Sequence, residues 1–280
     1  MLTFSKIKET TDFLEQEINQ GRSIGFVPTM GALHEGHLEL MRRAKKENDL
    51  LVVSIFVNPI QFNKSEDLEK YPRNLEADKK LLETVGCNVL FSPETEEMYP
   101  EEVNEKYDFW QLETVMEGAH RPGHFNGVAI VVKKLFEIVK PQRAYFGEKD
   151  FQQLAIIQKL VEMKKMPVEI VPCPIVREAD GLAMSSRNAR LTPEERTIAP
   201  RIFEILQYAK SKKDSICTGP MKQMVINMFE ANEDFLLEYF EIADDKNLQA
   251  VTSWGKGEGI MGFVALQLGN VRLIDNVRFI

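Results

Sequence analysis

The chain holds four histidines, and they fall in two close pairs: His34 with His37, and His120 with His124. An imidazole can donate to a phosphate oxygen, and when protonated it adds positive charge during reaction. The first pair ends the stretch SIGFVPTMGALHEGH (23–37), where an apolar run of Ile24, Phe26 and Val27 passes through Pro28, Thr29 and Gly31. No third soft ligand lies nearby at zinc-like spacing, so an anion fits this pair better than a metal. Four further segments place polar residues where apolar runs end. Asn58-Pro-Ile-Gln61 offers an amide that can hold a hydroxyl and a carboxylate without adding charge, although a lone loop glutamine reads first as solvated. Arg121-Pro-Gly-His124 sets a guanidinium and an imidazole in one constrained loop. Gly147-Glu148-Lys149-Asp150, followed by Gln152-Gln153, presents a lysine as a point charge for a phosphate. Asp180–Asn188 contains Met184, Ser185, Ser186 and Arg187, whose two hydroxyls and guanidinium form a phosphate clamp.

These groups need a scaffold that holds them together, and the apolar pattern supplies one. The run before the histidines reads as a buried strand. After His37 the spacing turns helical, with Leu38, Met41 and Ala44 on one face. A strand, a glycine-bearing turn and a helix make the unit in which helix N-terminal amides face an anion. Leu50–Val57, LLVVSIFV, is a continuous β-branched run of the kind buried on both faces of a parallel sheet. The polar loop after it, NPIQFNKSED, lies where open α/β sheets place ligands. Helices are expected over 3–19, 74–85, 127–139 and 151–163, and strands over 89–91, 143–147 and 168–171. The stretch 93–125 reads as irregular, with Trp110 in an extra strand. The alternation predicts a Rossmann-like, doubly wound parallel sheet over 1–175. A smaller α+β domain is expected over 176–280. In it Thr192-Pro-Glu-Glu195 opens a helix with a capping box, another helix covers 221–232, and strands follow at 236–243, 261–268 and 271–274, the last two as a hairpin about Gly269-Asn270.

The net charge of −8, from 35 basic and 43 acidic residues, argues against coating nucleic acid, which needs a basic surface. No apolar run is long enough to span a bilayer, and the first residues lack the apolar core of a secretion signal. Cys87, Cys173 and Cys217 are odd in number and widely spaced, which reads as reduced thiols in a cytoplasmic protein.

Taken together, the segments resemble the HIGH-type nucleotidyl-transfer superfamily, with His34-Glu-Gly-His37 as its HxGH motif and Met184-Ser-Ser-Arg187 as its mobile KMSKS-type loop. FVPTMGALHEGHLELM, SIFVNPIQF, YPR (71–73), RPGHFNGV, YFGEKDFQQL, VREADGLAMSSRNARL and RLIDN (272–276) narrow the resemblance to the pantoate–β-alanine ligase family, in order along nearly the whole chain. The resemblance implies condensation of D-pantoate with β-alanine at the expense of ATP. Pantoyl adenylate and pyrophosphate form first, and the amine then displaces AMP.

Carried over by position, the resemblance assigns Met30, Gly31, Ala32, Leu33, His34, Glu35, Gly36 and His37 to ATP. Gly147, Glu148, Lys149, Asp150, Val176, Met184, Ser185, Ser186 and Arg187 complete the ATP set. It assigns Gln61 and Gln153 to pantoate, and Gln61 to β-alanine as well. His37, His34, Lys149 and Arg187 would carry the chemistry, with His37 stabilising the transition-state charge and the leaving pyrophosphate. Mg²⁺ would bridge the phosphates through its own waters, without a dedicated protein metal site. Asn58, Tyr71, Arg121 and His124 would shape the ends for the two acids. The resemblance also implies a homodimer. A related adenylyl- or nucleotidyl-transferring enzyme with another acceptor, and a non-catalytic nucleotide binder, are the competing readings. Intact His34, His37, Lys149, Ser185, Ser186 and Arg187 weigh against the second.

Overall fold

The structure is a computed structural model that describes residues 1–63, 65–255 and 259–280. Lys64, part of the polar loop NPIQFNKSED, lies outside the described residues. In chain order the strands are β1 (Leu2–Phe4), β2 (Ile24–Thr29), β3 (Leu50–Ile55), β4 (Val89–Phe91), β5 (Arg143–Gly147), β6 (Glu169–Cys173), β7 (Phe235–Asp244), β8 (Ile260–Leu268) and β9 (Val271–Arg278). The helices are α1 (Ile7–Asn19), α2 (Glu35–Glu47), α3 (Ser65–Glu69), α4 (Leu75–Thr84), α5 (Thr95–Met98), α6 (Met116–His120), α7 (His124–Val139), α8 (Phe151–Lys164), α9 (Pro193–Ile198), α10 (Arg201–Lys212) and α11 (Thr218–Glu230). The chain forms two compact units. The first is Met1–Phe109, Arg121–Glu148 and Gln153–Pro174; the second is Trp110–His120, Lys149–Gln152 and Ile175–Ile280.

In the first unit, six strands among the described residues form a parallel sheet in the order β1-β4-β3-β2-β5-β6. This is the doubly wound arrangement that the alternation predicts. The central strands are mainly apolar because helices cover both faces: Ile24, Phe26, Val27, Leu51, Val52 and Val53 are all fully buried. β2 pairs with β3 along its length but with β5 only at Gly25 and Phe26. Pro28, which has no N–H to give, therefore stands beyond the β5 ladder, where β2 and β5 part. The chain order reverses between these two strands, so their C-terminal ends border the crevice in which such sheets bind ligands.

The second unit has an antiparallel sheet, β7-β8-β9, on which α10 and α11 pack through Ile202, Leu206, Met221, Val225 and Phe229, with Ile198 of α9 at the margin. Thr192 closes the capping box at α9: its Oγ accepts from Glu195 N, and Glu195 accepts from Thr192 N. β8 and β9 join at Gly269-Asn270, where Gly269 takes a φ of +55°. Arg272 on β9 binds the Glu117 carboxylate at 2.6 and 2.8 Å and Glu238 on β7 at 2.8 Å, while the Tyr239 hydroxyl donates to Glu117 at 2.8 Å. Burial beside Glu117 pushes the Tyr239 phenol far above its ordinary value. This network fastens α6 to the sheet.

Two expectations are corrected. The first residues form strand β1 before α1 begins at Ile7, rather than one helix over 3–19. Trp110 lies in a 3₁₀ turn, Trp110–Glu113, with φ +51°, and the region around it holds α5 and α6 rather than an extra strand. α10 follows α9 directly through Pro200, a helix that no capping pattern announces. No helix among the described residues is long and apolar enough to cross a membrane.

Candidate active site

The first unit presents the histidine pair at the start of α2. His34 is the residue before the helix, with extended backbone (φ −143°), and its carbonyl accepts from His37 N at 2.8 Å. His37 therefore sits inside the first turn, and the two rings lie close, centroids 4.1 Å apart and planes tilted by 40°. Both side chains are half-buried. The first-turn amides of a 13-residue helix and two imidazoles thus share one end of the crevice, an arrangement suited to an anion.

The turn that delivers them is unusual in its backbone. Gly31 has φ +83° and Ala32 φ +50°, and a left-handed alanine costs about 1–2 kcal/mol. What holds it is Asp78 of α4, a residue the sequence patterns did not single out. Its carboxylate accepts from Ala32 N at 3.0 Å and Leu33 N at 2.8 Å, and the residue is only 3% exposed. Burial raises the Asp78 carboxyl above its ordinary value, against the pull of those two bonds. A Cβ on Gly31 would stand 3.0 Å from that carboxylate and 3.1 Å from Ile55, so glycine fits both the φ and the space.

Gln61 follows β3 in a 3₁₀ turn, Pro59–Gln61, and is buried. Its Oε1 accepts from Asn58 Nδ2 at 3.2 Å, and its Nε2 reaches the Met30 sulfur at 3.0 Å. Asn58 Nδ2 also donates to Gly127 O at 3.1 Å, and Asn58 Oδ1 accepts from the Tyr99 hydroxyl at 2.9 Å. A thioether is a weak acceptor, so the Gln61 amide N–H stays available to a better oxygen. The loop of Arg121 and His124, expected to shape the ends for the two acids, meets Gln61 through its histidine. His124 is buried, with Nδ1 2.9 Å from Gln61 O and Nε2 3.1 Å from Arg121 Nη1. A guanidinium only donates, so the network assigns the proton to Nδ1 and makes His124 a donor to the Gln61 main chain. Gly127 lets α7 come this close: a Cβ there would lie 2.7 Å from Gln61 Cα. Tyr71 is buried against Phe62, ring centroids 6.0 Å apart. Gly147 ends β5, and Glu148 opens the turn after it. Gln153, half-buried on α8, also belongs to this unit.

The second unit carries the other cationic segments. Lys149 lies in the 3₁₀ turn before α8, its Nζ 3.8 Å from Asp150 and its carbonyl accepting from Asn276 Nδ2 at 3.1 Å. Gln152, the neighbour of the assigned Gln153, is buried; its amide donates to Leu112 O and Val115 O and accepts from Glu117 N. Val176 O accepts from Met184 N at 3.0 Å. Ser185 caps the turn Ser186–Arg190, its Oγ accepting from Arg187 N at 3.2 Å, and Met184, Ser186 and Arg187 are half-buried beside it.

The chain matches the family model described as pantoate-beta-alanine ligase over residues 2–278. It is 50% identical over 278 residues to the pantothenate synthetase of Bacteroides fragilis, covering 98% of this chain and 99% of that one. It superimposes on the crystal structure of pantothenate synthetase from Thermus thermophilus with a TM-score of 0.93 and 43% identity, covering 100% and 99% of the two chains. The ligase of Francisella tularensis, solved in complex with a β-γ ATP and β-alanine, gives a TM-score of 0.84 at 36% identity, over 100% of this chain and 98% of that one.

Proposed function

The chain belongs to the pantoate–β-alanine ligase family, and we propose that it catalyses the reaction this name describes, joining D-pantoate to β-alanine with cleavage of ATP to AMP and pyrophosphate. A carboxylate acylates an amine only after one of its oxygens becomes part of a good leaving group. In the first step a pantoate carboxylate oxygen attacks the α-phosphorus of ATP, the bond to the β-phosphate oxygen breaks, and pyrophosphate leaves. In the second step the neutral amine of β-alanine attacks the carbonyl carbon of pantoyl adenylate. AMP departs with the original carboxylate oxygen, and the amine loses a proton. Two anions must meet in step one, so the protein contributes positive charge and oriented donors.

The observation that carries this reading is the close His34–His37 pair at the helix N-terminus, with the half-engaged Gln61 amide next to the same turn at Met30. In this proposal Met30–His37, Gly147–Asp150, the Val176 main chain and Met184–Arg187 bind ATP. His34, His37, Lys149 and Arg187 face the phosphates, and His37 steadies the charge that passes to pyrophosphate. Gln61 and Gln153 hold pantoate, and Gln61 also borders the amine. His124 and Asn58 keep Gln61 in place. Mg²⁺ would enter as MgATP: the side chains assigned to the phosphates include a lysine and a guanidinium and no carboxylate, a donor set that fits the triphosphate rather than a bare metal ion, and the ion would lower the charge that the attacking carboxylate meets. We further propose a division of labour between an ATP- and pantoate-binding domain over 1–175 and a lid over 176–280. A cytoplasmic homodimer belongs to the same proposal and rests on the family resemblance. Incubation with MgATP, D-pantoate and β-alanine should yield pantothenate, AMP and pyrophosphate in equal amounts; omission of any one substrate should abolish pantothenate. Formation of ADP in place of AMP would overturn the reading.

A further inference from the structure

The segment Arg272–Asn276 gives no side chain to the proposed reaction, yet its last two residues are 4% exposed and fully engaged inside the second unit. Asp275 binds the Arg177 guanidinium through both oxygens, at 2.7 and 2.9 Å, and one of those oxygens also accepts from Asn276 N at 2.7 Å. Arg177 continues to Gly181 O at 3.0 Å and lies over the Phe203 ring at 4.2 Å. It also pairs as an isolated antiparallel bridge with Ala183, directly before Met184. Asn188 Nδ2 closes this turn on Ala183 O at 3.1 Å. On the other side, Asn276 Nδ2 donates to the main-chain carbonyl of Lys149 at 3.1 Å.

Two segments about 35 residues apart in sequence, Lys149 and Met184–Arg187, are therefore both fastened to two adjacent residues of β9. A bidentate arginine–carboxylate pair fixes both distance and angle, which a single lysine contact would not. We propose that Asp275 and Asn276 are positioning residues that set the separation of Lys149 from the Met184–Arg187 loop, so that both reach one triphosphate. The proposal rests on the assignment of those two segments to ATP. Neither Asp275 nor Asn276 touches substrate; they act through the main chain of Lys149 and through Arg177.

Asn276→Ala removes the Lys149 tie and leaves the Arg177–Asp275 pair intact. The test is a double-mutant cycle with Lys149→Ala, read by calorimetric binding of Mg²⁺ with a non-hydrolysable ATP analogue and by pantoate-dependent pyrophosphate release. Expected is a loss of about 10–50-fold in analogue affinity and in kcat/KM for ATP in Asn276→Ala, with the pantoate KM unchanged. In the Lys149→Ala background the same change should cost less than about twofold, because the lysine it positions is gone. Asn276→Ser, a smaller change that keeps a donor, provides a second folded variant and should fall between. Equal losses in both backgrounds would mean a general structural role and overturn the proposal, as would wild-type affinity in Asn276→Ala or a wild type that fails to bind the analogue. A wild type that binds the analogue but releases no pyrophosphate from pantoate would instead count against the proposed reaction, while the binding cycle still decides this inference.

Discussion

Asp78 offers the sharpest test of how the turn proposed to bind ATP is built. Asp78→Asn keeps the size of the side chain and one oxygen, but turns an NH₂ group toward one of two backbone donors. The wild-type carboxylate serves Ala32 N and Leu33 N at 3.0 and 2.8 Å. A hydrogen bond to a charged acceptor contributes about 1.5–3 kcal/mol, and a buried donor left unmatched costs a similar amount. The ionised carboxylate also bears a burial cost that the amide avoids, which offsets part of the loss. The net expectation is a destabilisation of about 1–3 kcal/mol. The turn holds Ala32 in a left-handed conformation, so it is the first place to relax. A loosening of about 2 kcal/mol lowers the ratio of ordered to relaxed turn roughly 30-fold, which sets the upper bound on the expected fall in pyrophosphate release. The pH dependence carries a definite sign. Burial raises the folded-state carboxyl above 3.8, so the folded protein binds more protons just above that pH. Wild-type stability contributed by this group is therefore highest below 3.8 and declines as pH rises through the folded value. The Asn variant lacks that decline, so the stability difference between the two should shrink as pH climbs from 3.8. Urea unfolding across pH 4–7, with single-turnover pyrophosphate assays, measures both effects. An Asp78→Asn protein with wild-type stability and a first half-reaction within twofold of wild type would refute this account of the turn.

Three further outcomes are expected. His37→Ala should slow pyrophosphate release by about 10²–10³-fold, the scale of losing one preorganised donor to developing charge, and a rate within a few-fold of wild type would remove it from that role. Gln61→Ala should raise the pantoate KM far more than the ATP KM in steady-state kinetics, and equal effects would contradict its assignment to the acid. Cys217 is exposed, while Cys87 and Cys173 are buried, and burial pushes the Cys87 thiol up to about 12. Ellman's reagent should thus label one thiol per native chain and three after unfolding.

Much of the scaffold was legible because its signals are local. The β-branched runs of β2 and β3, the change to helical spacing after His37 and the Thr192–Glu195 box all act within a few residues. The side chains proposed to carry the chemistry stood out too, since paired imidazoles, a lysine after a strand and paired serines beside an arginine are uncommon in combination. What was hidden depends on partners far along the chain. Asp78 looks like one more acid on an amphipathic helix until the fold brings it to Leu33, 45 residues away. Asn276 reaches Lys149 across 127 residues, and His124 reaches Gln61 across 63. His124 was expected only to shape the acid ends, and no local pattern signals that its burial and its bond to a carbonyl make it a prop for Gln61. β1 escaped notice for another reason: three residues, partly exposed at the sheet edge, carry too little pattern to stand apart from the helix that follows.

The account turns on an acyl-adenylate intermediate, and the path of one oxygen tests it. Pantoate labelled with ¹⁸O in both carboxylate positions is turned over with unlabelled MgATP and β-alanine, and the products are analysed by mass spectrometry. Attack of the carboxylate on the α-phosphorus, followed by displacement by the amine, places one ¹⁸O in AMP and leaves one in pantothenate. Label in pyrophosphate or inorganic phosphate, or AMP free of ¹⁸O, would contradict the mechanism.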